Sequence, residues 1–174
     1  MAIIAILSAV SFPVVVEQIE RRRVDSAITT MKALADAVTA FRVNVGMNPG
    51  RLVHLSNPIT STDLNSCGAA YGTPAANAWA GPYYTKQILQ ATGLPLSEDN
   101  LGRVQNTLVR APAGVSTPGT LAFQVTGIPL DKVTEIEASV DGDNVATTGR
   151  VRWTTPADAN GQVTMSYHVA INGC

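Results

Sequence analysis

Charge is scarce in this chain and unevenly placed. Asp, Glu, Lys and Arg make up 14% of its 174 residues, against about 25% in a typical globular domain, and none of them lies between Met1 and Val16. The formal net charge of -1 gives no overall attraction to a polyanion, so we expect no binding of nucleic acid. A segment as apolar as Met1 to Val16 must lie in lipid or pack against equally apolar surfaces, such as copies of itself.

Cysteine is also rare. Cys67 and Cys174 are the only two, and they form no CxxC pattern. A bond between them would close a loop of roughly a hundred residues, worth about 4 to 5 kcal/mol in the chain-entropy model. Such a bond implies an oxidising compartment, either the periplasm or the cell surface. The alternative is two independent reduced thiols.

Sequence patterns of catalytic sites are missing. The chain has no GxGxxG, P-loop, GxSxG or HExxH pattern. His54 and His168 are the only histidines, and neither has a second His or Cys at the spacing of zinc ligands. A nucleophilic pair of Cys67 with His168 would need a free thiolate, which a disulfide removes. We therefore expect a protein that is not an enzyme.

Helical periodicity runs from the apolar segment into the polar sequence that begins at Glu17. Gly46 and the following Asn, Pro and Gly residues predict its end, so we expect one helix over about residues 1–45. Pro13 predicts a kink or a locally opened turn within it. The apolar stripe of the second part consists of Val24, Ile28, Met31, Ala35, Val38, Phe41 and Val45.

The rest of the chain predicts a small sheet preceded by a long connection. Alternating patterns predict strands at Leu121 to Val125, Val151 to Thr154 and Val163 to Val169. Leu130 to Val140 fits a helix or a strand, and we favour a helix. Thr85 to Thr92 is a candidate short helix with two apolar side chains, Ile88 and Leu89, directed inward. The fold class expected is α+β, with a long amino-terminal helix packed by its second half on a small carboxy-terminal antiparallel sheet.

Two local clusters invite a functional interpretation. Asp141, Asp143 and Asn144 form an oxygen-rich turn that suits a calcium ion, although DGDN is also an ordinary turn sequence without a bidentate Glu at EF-hand spacing. Trp79 and the two tyrosines after Pro82 form either a contact patch or a loop locked onto the core, and we favour the core.

The stretch AIIAILSAVSFP, Ala2 to Pro13, followed by a charged amphipathic helix, resembles the amino-terminal segment of type IV pilins and type II secretion pseudopilins. Pro13 falls on the helix-breaking proline of that family. The segment NAWAGPYY, Asn77 to Tyr84, is similar to a loop of the major pseudopilins, and a terminal disulfide is similar to the pilin pattern. Some pseudopilins bind calcium in a late loop.

The sequence also departs from the family. The basic leader ending in glycine, the phenylalanine that follows it and the nearby glutamate are absent, so by alignment Met1 falls inside the mature chain. We expect either a late gene start, a truncation or a divergent member. The triplet Arg21 to Arg23 would lie in the cytoplasm by the positive-inside rule, whereas the resemblance implies that everything after Val16 lies outside.

The resemblance implies a structural subunit of an extracellular or periplasmic filament, with residues 1–23 as the membrane or filament-core segment and 24–174 as the head. The expected partners are copies of the same chain, the inner membrane before assembly and an assembly machine. Glu17 and Glu20 would pair with Arg21, Arg22 and Arg23 of neighbouring subunits. No cofactor is expected apart from the calcium considered above. The residues expected in the membrane or the filament core are Ile3, Ile4, Ile6, Leu7, Val10, Phe12, Pro13, Val14 and Val15.

Two other functions are compatible with the same sequence. One is a pseudopilin of a type II secretion system, which would act in protein export from the periplasm. The other is a monomeric, membrane-anchored periplasmic domain that presents its sheet or the region of Trp79 to a partner.

Overall fold

A computed structural model describes the backbone of residues 2–98, 101–111 and 119–173, with side chains from residue 15 onward. The fold is α+β, with one long helix followed by short connecting elements and a five-stranded sheet. The elements in chain order are α1 (Ala2–Val45), a 3₁₀ helix (Leu52–Leu55), α2 (Gly72–Asn77), β1 (Leu94–Pro95), β2 (Arg103–Ala111), β3 (Gly119–Pro129), α3 (Leu130–Val140), β4 (Val151–Trp153) and β5 (Gln162–Ile171).

The sheet has the strand order β1-β2-β3-β5-β4, and every neighbouring pair is antiparallel. Its centre is the β3–β5 pair, in which Phe123 lies opposite Tyr167. The two rings stack with centroids 6.4 Å apart. β4 pairs with β5 only from Met165 to Tyr167, so the part of β5 beyond β4 is an edge of the sheet within the described chain.

The second part of α1 packs in the hydrophobic core. Among the side chains described from Val15 onward, Val24 is the first buried one, and the buried stripe from there to Val45 belongs to the same cluster as the inner face of the sheet. We call residues 2–23 the stem and residues 24–173 the head. α1 ends where Gly46 takes a φ of 78° and donates its N–H to Arg42 O at 2.8 Å, a conformation that glycine adopts without a Cβ penalty.

Most predicted elements are confirmed. α1 ends at Val45 as predicted, and α3 covers Leu130–Val140. Two predicted strands lie within β3 and β5, and the third, Val151 to Thr154, matches β4 except for its last residue. The connection from Asn48 to Tyr84 folds onto the head, since its 3₁₀ helix is buried throughout. α1 also continues through Pro13 without a break.

The short helix predicted from Thr85 to Thr92 is wrong. This segment forms a turn in which Leu89 and Gly93 exchange two backbone hydrogen bonds. Ile88 is buried as predicted, but Leu89 is 48% exposed. A Cβ at Gly93 would collide with the carbonyl oxygen of Val104, so the chain passes too close to β2 for a helix in this place.

Candidate assembly interface

The described end of the stem exposes large aliphatic side chains. Val15, Val16 and Ile19 are 52%, 47% and 43% exposed. The head cannot cover them, because α1 leaves the core before Val24. At 1.5 Å per residue, the stem is about 33 Å of helix.

The side chains of the predicted filament-core residues Ile3, Ile4, Ile6, Leu7, Val10, Phe12, Pro13 and Val14 lie outside the described part of the structure. Of that predicted set, Val15 alone is described, and it is exposed. Within the part of the chain that the structure describes, no helix is both long and apolar enough for a membrane crossing.

Charged residues follow directly on the exposed aliphatic ones. Arg21 Nη2 lies 2.7 Å from Glu17 Oε1, one helical turn away, and both side chains are more than 60% exposed. Such a pair contributes well under 1 kcal/mol to stability. Arg22 is exposed beside it. Pairing of these residues with neighbouring subunits stays a prediction.

Glu20, in contrast, is engaged within the chain. Its Oε1 lies 2.8 Å from Arg23 Nη1, and its Oε2 lies 3.4 Å from Lys132 Nζ on α3. Lys132 also contacts Glu135 at 3.3 Å, and its side chain is only 18% exposed. Burial alone would lower the pKa of Lys132, but the Glu135 and Glu20 carboxylates outweigh it and raise the pKa above its usual value. The first turn of α3 is therefore clamped to α1 where the stem leaves the head.

Two asparagine side chains hold the backbone around Cys67 and near the carboxy-terminal end of β5. Cys67 is disulfide-bonded, and Cys174, the only other cysteine in the sequence, lies outside the described residues. Asn65 Oδ1 accepts hydrogen bonds from the N–H groups of Cys67 and Ala69 at 2.8 and 3.2 Å. Asn48, fully buried, donates from Nδ2 to the carbonyl oxygen of Gly173 at 3.2 Å. The end of the chain therefore lies against the start of the connection that follows α1.

The carboxylates of the predicted calcium loop hold the loop's own backbone. Asp141 Oδ2 accepts hydrogen bonds from the N–H groups of Arg150 and Val151, both at 2.7 Å. Asp143 Oδ1 accepts one from Val145 N at 3.0 Å, which lowers the pKa of Asp143. In the described part of the chain, no three His, Cys, Asp or Glu side chains lie together as metal ligands would.

Glu137 on α3 also binds the backbone of this loop. Its side chain is fully buried, and its two carboxylate oxygens accept hydrogen bonds from the N–H groups of Asp143 and Asn144 at 3.1 and 2.8 Å. Burial raises the pKa of Glu137, and the neighbouring Asp143 side chain raises it further. Asn144 takes a φ of 54° in this turn. Calcium binding at Asp141, Asp143 and Asn144 stays a prediction.

The side chains of both histidines take part in hydrogen bonds. His54 is 5% exposed, and its Nδ1 lies 3.1 Å from the hydroxyl of Tyr71. Burial lowers the pKa of His54 to about 4, so the ring is neutral at neutral pH. His168 lies on the opposite face of the sheet from Tyr167, between Thr120 Oγ1 at 3.2 Å and Ser166 Oγ at 3.1 Å.

The aromatic residues near Pro82 belong to the core, as predicted. Tyr84 is 7% exposed. Trp79 Nε1 donates to the carbonyl oxygen of His54 at 3.0 Å. Tyr83 packs edge-on against Trp79 and Phe41, with ring centroids 5.7 and 5.4 Å away. The segment Asn77 to Tyr84 is thus locked onto the end of α1.

Sequence reasoning missed two residues of structural importance. The sequence does not predict the contact between Lys132 and Glu20, although the i,i+3 spacing of Lys132 and Glu135 indicates an ion pair within α3. Glu137 keeps helical spacing with Val133 and Val140, but the sequence carries no sign that its carboxylate accepts hydrogen bonds from N–H groups beyond a turn.

Comparison with protein-family models, with curated proteins and with solved structures finds no match for this chain.

Proposed function

We propose that this chain is the structural subunit of a type IV pilus-like filament and that it polymerises through the stem. The observation that supports this proposal is the length of α1 outside the core. The helix is continuous from Ala2 to Val45, and among its side chains that the structure describes, from Val15 onward, the first buried one is Val24. The stem therefore needs another apolar surface, and a second copy of the same helix offers one of matching chemistry.

The proposed mechanism exchanges one apolar environment for another. Before assembly, the stem lies in the inner membrane and the head in the periplasm. An assembly machine then extracts the stem, and its lipid contacts are replaced by the stems of sister subunits. Complete burial of one exposed Val or Ile contributes about 1.5 to 3 kcal/mol, so the half-exposed Val15, Val16 and Ile19 add to the apolar contacts that Ala2 to Val14 would make.

The clamp between Lys132 and Glu20 has a clear role in this mechanism. A polymer needs one fixed angle between stem and head, since every subunit must repeat the same contacts. The ion pair joins α3 to the last turn of the stem and restricts bending at that point.

The test compares the effect of replacing an exposed apolar residue in the stem with the effect of replacing an equally exposed apolar residue in the head. Ile19 is 43% exposed and Val145 is 41% exposed. In cells that express the full chain with its assembly machine, Ile19→Asp should reduce the filaments recovered by shearing by at least about tenfold, because it places a charge in a desolvated helix bundle. Val145→Asp should leave the yield unchanged.

Two outcomes would overturn the proposal. One is an equal yield of sheared filaments from the Ile19→Asp and Val145→Asp chains, both accumulating to wild-type levels. The other is a wild-type chain that stays monomeric in the membrane fraction, which would favour a membrane-anchored binding domain.

A further inference from the structure

The head contains two Asn-Gly pairs of closely similar geometry, Asn160–Gly161 and Asn172–Gly173. All four residues are exposed, and the two glycines have φ values of 72° and 70°. An asparagine followed by glycine can react with its own backbone, because a residue without a Cβ lets its nitrogen approach the preceding side-chain amide. The two pairs differ in the hydrogen bonds of that nitrogen.

The nitrogen of Gly161 is engaged in a turn. It donates to the carbonyl oxygen of Asp158 at 2.9 Å. Asp158 Oδ1 also accepts hydrogen bonds from the N–H groups of Asn160 and Gln162 at 2.9 and 2.8 Å, which is how an Asp side chain fixes a local turn. The carbonyl oxygen of Gly161 accepts a hydrogen bond from Leu130 N at 3.1 Å. An approach of Gly161 N to the side chain of Asn160 would therefore break hydrogen bonds.

The nitrogen of Gly173 is not held in this way. It makes no hydrogen bond to any residue that the structure describes. The carbonyl oxygen of Gly173 accepts a hydrogen bond from Asn48 Nδ2 at 3.2 Å, but this bond does not engage the nitrogen. The side chain of Asn172 also makes no hydrogen bond within the described chain. The reacting nitrogen and the reacting amide can therefore meet without the loss of a hydrogen bond between described residues.

We propose that Asn172 is a site of spontaneous deamidation and that the turn at Asp158 protects Asn160 from the same reaction. The nitrogen of Gly173 loses its proton to hydroxide and forms a bond to Cγ of Asn172. The bond from Cγ to the side-chain nitrogen breaks, and ammonia leaves. Water then opens the cyclic imide at either carbonyl carbon, which gives aspartate or isoaspartate.

Both products change the chain directly after β5. Aspartate adds a negative charge, and isoaspartate lengthens the backbone by one carbon atom. Ile171 is 4% exposed and pairs with Gly119, and Gly173 is held by the buried Asn48. The added atom must therefore fit between two fixed points, and we expect the isoaspartate form to lose the hydrogen bond between Asn48 and Gly173.

The test is peptide mapping by mass spectrometry of the full chain, incubated in detergent at neutral pH with and without denaturant. In the folded chain, Asn172 should deamidate at least about threefold faster than Asn160, because the reaction at Asn160 must first break the hydrogen bond of Gly161 N. In denaturant, the faster reaction at Asn172 should disappear, since the turn is lost.

The variant Asp158→Ala tests the protection separately. It removes the carboxylate that fixes the turn, so it should accelerate deamidation at Asn160 and leave the rate at Asn172 unchanged.

Four outcomes would each overturn the proposal. They are equal rates at the two sites in the folded chain, a faster reaction at Asn160, an excess at Asn172 that persists in denaturant, and an unchanged rate at Asn160 in Asp158→Ala. None of these outcomes bears on polymerisation, which the yield of sheared filaments measures.

Discussion

The ammonium group of Lys132 on α3 lies 3.4 Å from the carboxylate of Glu20 on α1. This contact joins two elements that are more than a hundred positions apart in the sequence. Lys132 is surrounded by acidic groups, since Glu135 lies 3.3 Å and Asp131 3.9 Å from its Nζ. The cation therefore holds together carboxylates that would otherwise repel one another.

Replacement of Lys132 should destabilise the head. We expect Lys132→Met to lower the free energy of unfolding by about 1 kcal/mol, because it leaves a partly buried group of carboxylates without its cation. The exposed Lys86, replaced by Met, is the control and should cost less than about 0.5 kcal/mol. Denaturant unfolding of the full chain in detergent measures both. Equal losses in the two variants would show that the clamp contributes nothing.

Acid should destabilise the head through His54. The pKa of His54 in the folded chain is about 4, against about 6.5 in an unfolded chain. Between these values the unfolded state binds more protons, so stability is complete above about pH 6.5 and falls as the pH falls toward 4, by roughly 2 to 4 kcal/mol. Thermal unfolding across this range measures the slope.

The control for this pH dependence is a pair of histidine variants. His54→Gln should remove most of the slope, and His168→Gln should keep the part due to His54. Burial lowers the pKa of His168 as well, so the wild-type slope contains contributions from both histidines. A wild-type stability that does not change between pH 6.5 and 4 would contradict the burial of a neutral His54.

Two glycines with the same backbone conformation test the loop around Asp141. Gly149 and Gly161 have φ values of 74° and 72°. A Cβ at Gly149 would lie 2.5 Å from Asp141 Oδ2, whereas nothing lies within 4 Å of one at Gly161. Gly161→Ala should therefore cost about 1 kcal/mol of backbone strain. Gly149→Ala should cost at least about 1 kcal/mol more, because it also displaces the carboxylate that holds Arg150 and Val151.

Equilibrium unfolding of the two alanine variants provides this comparison. Equal destabilisation would mean that Asp141 moves aside without loss, and that its two hydrogen bonds do not fix the loop.

The disulfide should contribute strongly to stability. The chain, unfolded without a reducing agent, should show no reactive thiol. After reduction it should show two reactive thiols. Cys67→Ser should lower the free energy of unfolding by about 2 to 5 kcal/mol. Thiol titration and intact-mass analysis check the bond before the unfolding measurement. Detection of a free thiol in the untreated chain would contradict both the bond and the oxidising compartment that it implies.

The elements with long, regular patterns could be predicted from the sequence. The stripe from Val24 to Val45 and the alternation from Val163 to Tyr167 each persist over enough residues to fix an element and its buried face. β2 was missed because Gln105, Asn106 and Thr107 interrupt its alternation at the point where the register with β3 shifts.

The remaining misses arise from contacts that are distant in sequence. The helical interpretation of Thr85 to Thr92 fails because Gly93 must pass close to Val104. The burial of Glu137 depends on a turn that places two N–H groups at its carboxylate. The side chains of the stem before Val15 and the terminal Cys174 lie outside the described residues, so their predicted roles stay predictions.

Electron cryo-microscopy of material sheared from cells that assemble the full chain tests polymerisation most directly. We expect filaments in which the stems, including Ile19, form a central bundle of parallel helices and the heads face outward. A sheared fraction without filaments, with the full chain monomeric in the membrane, or filaments in which the stem contacts no other stem, would contradict the proposed function.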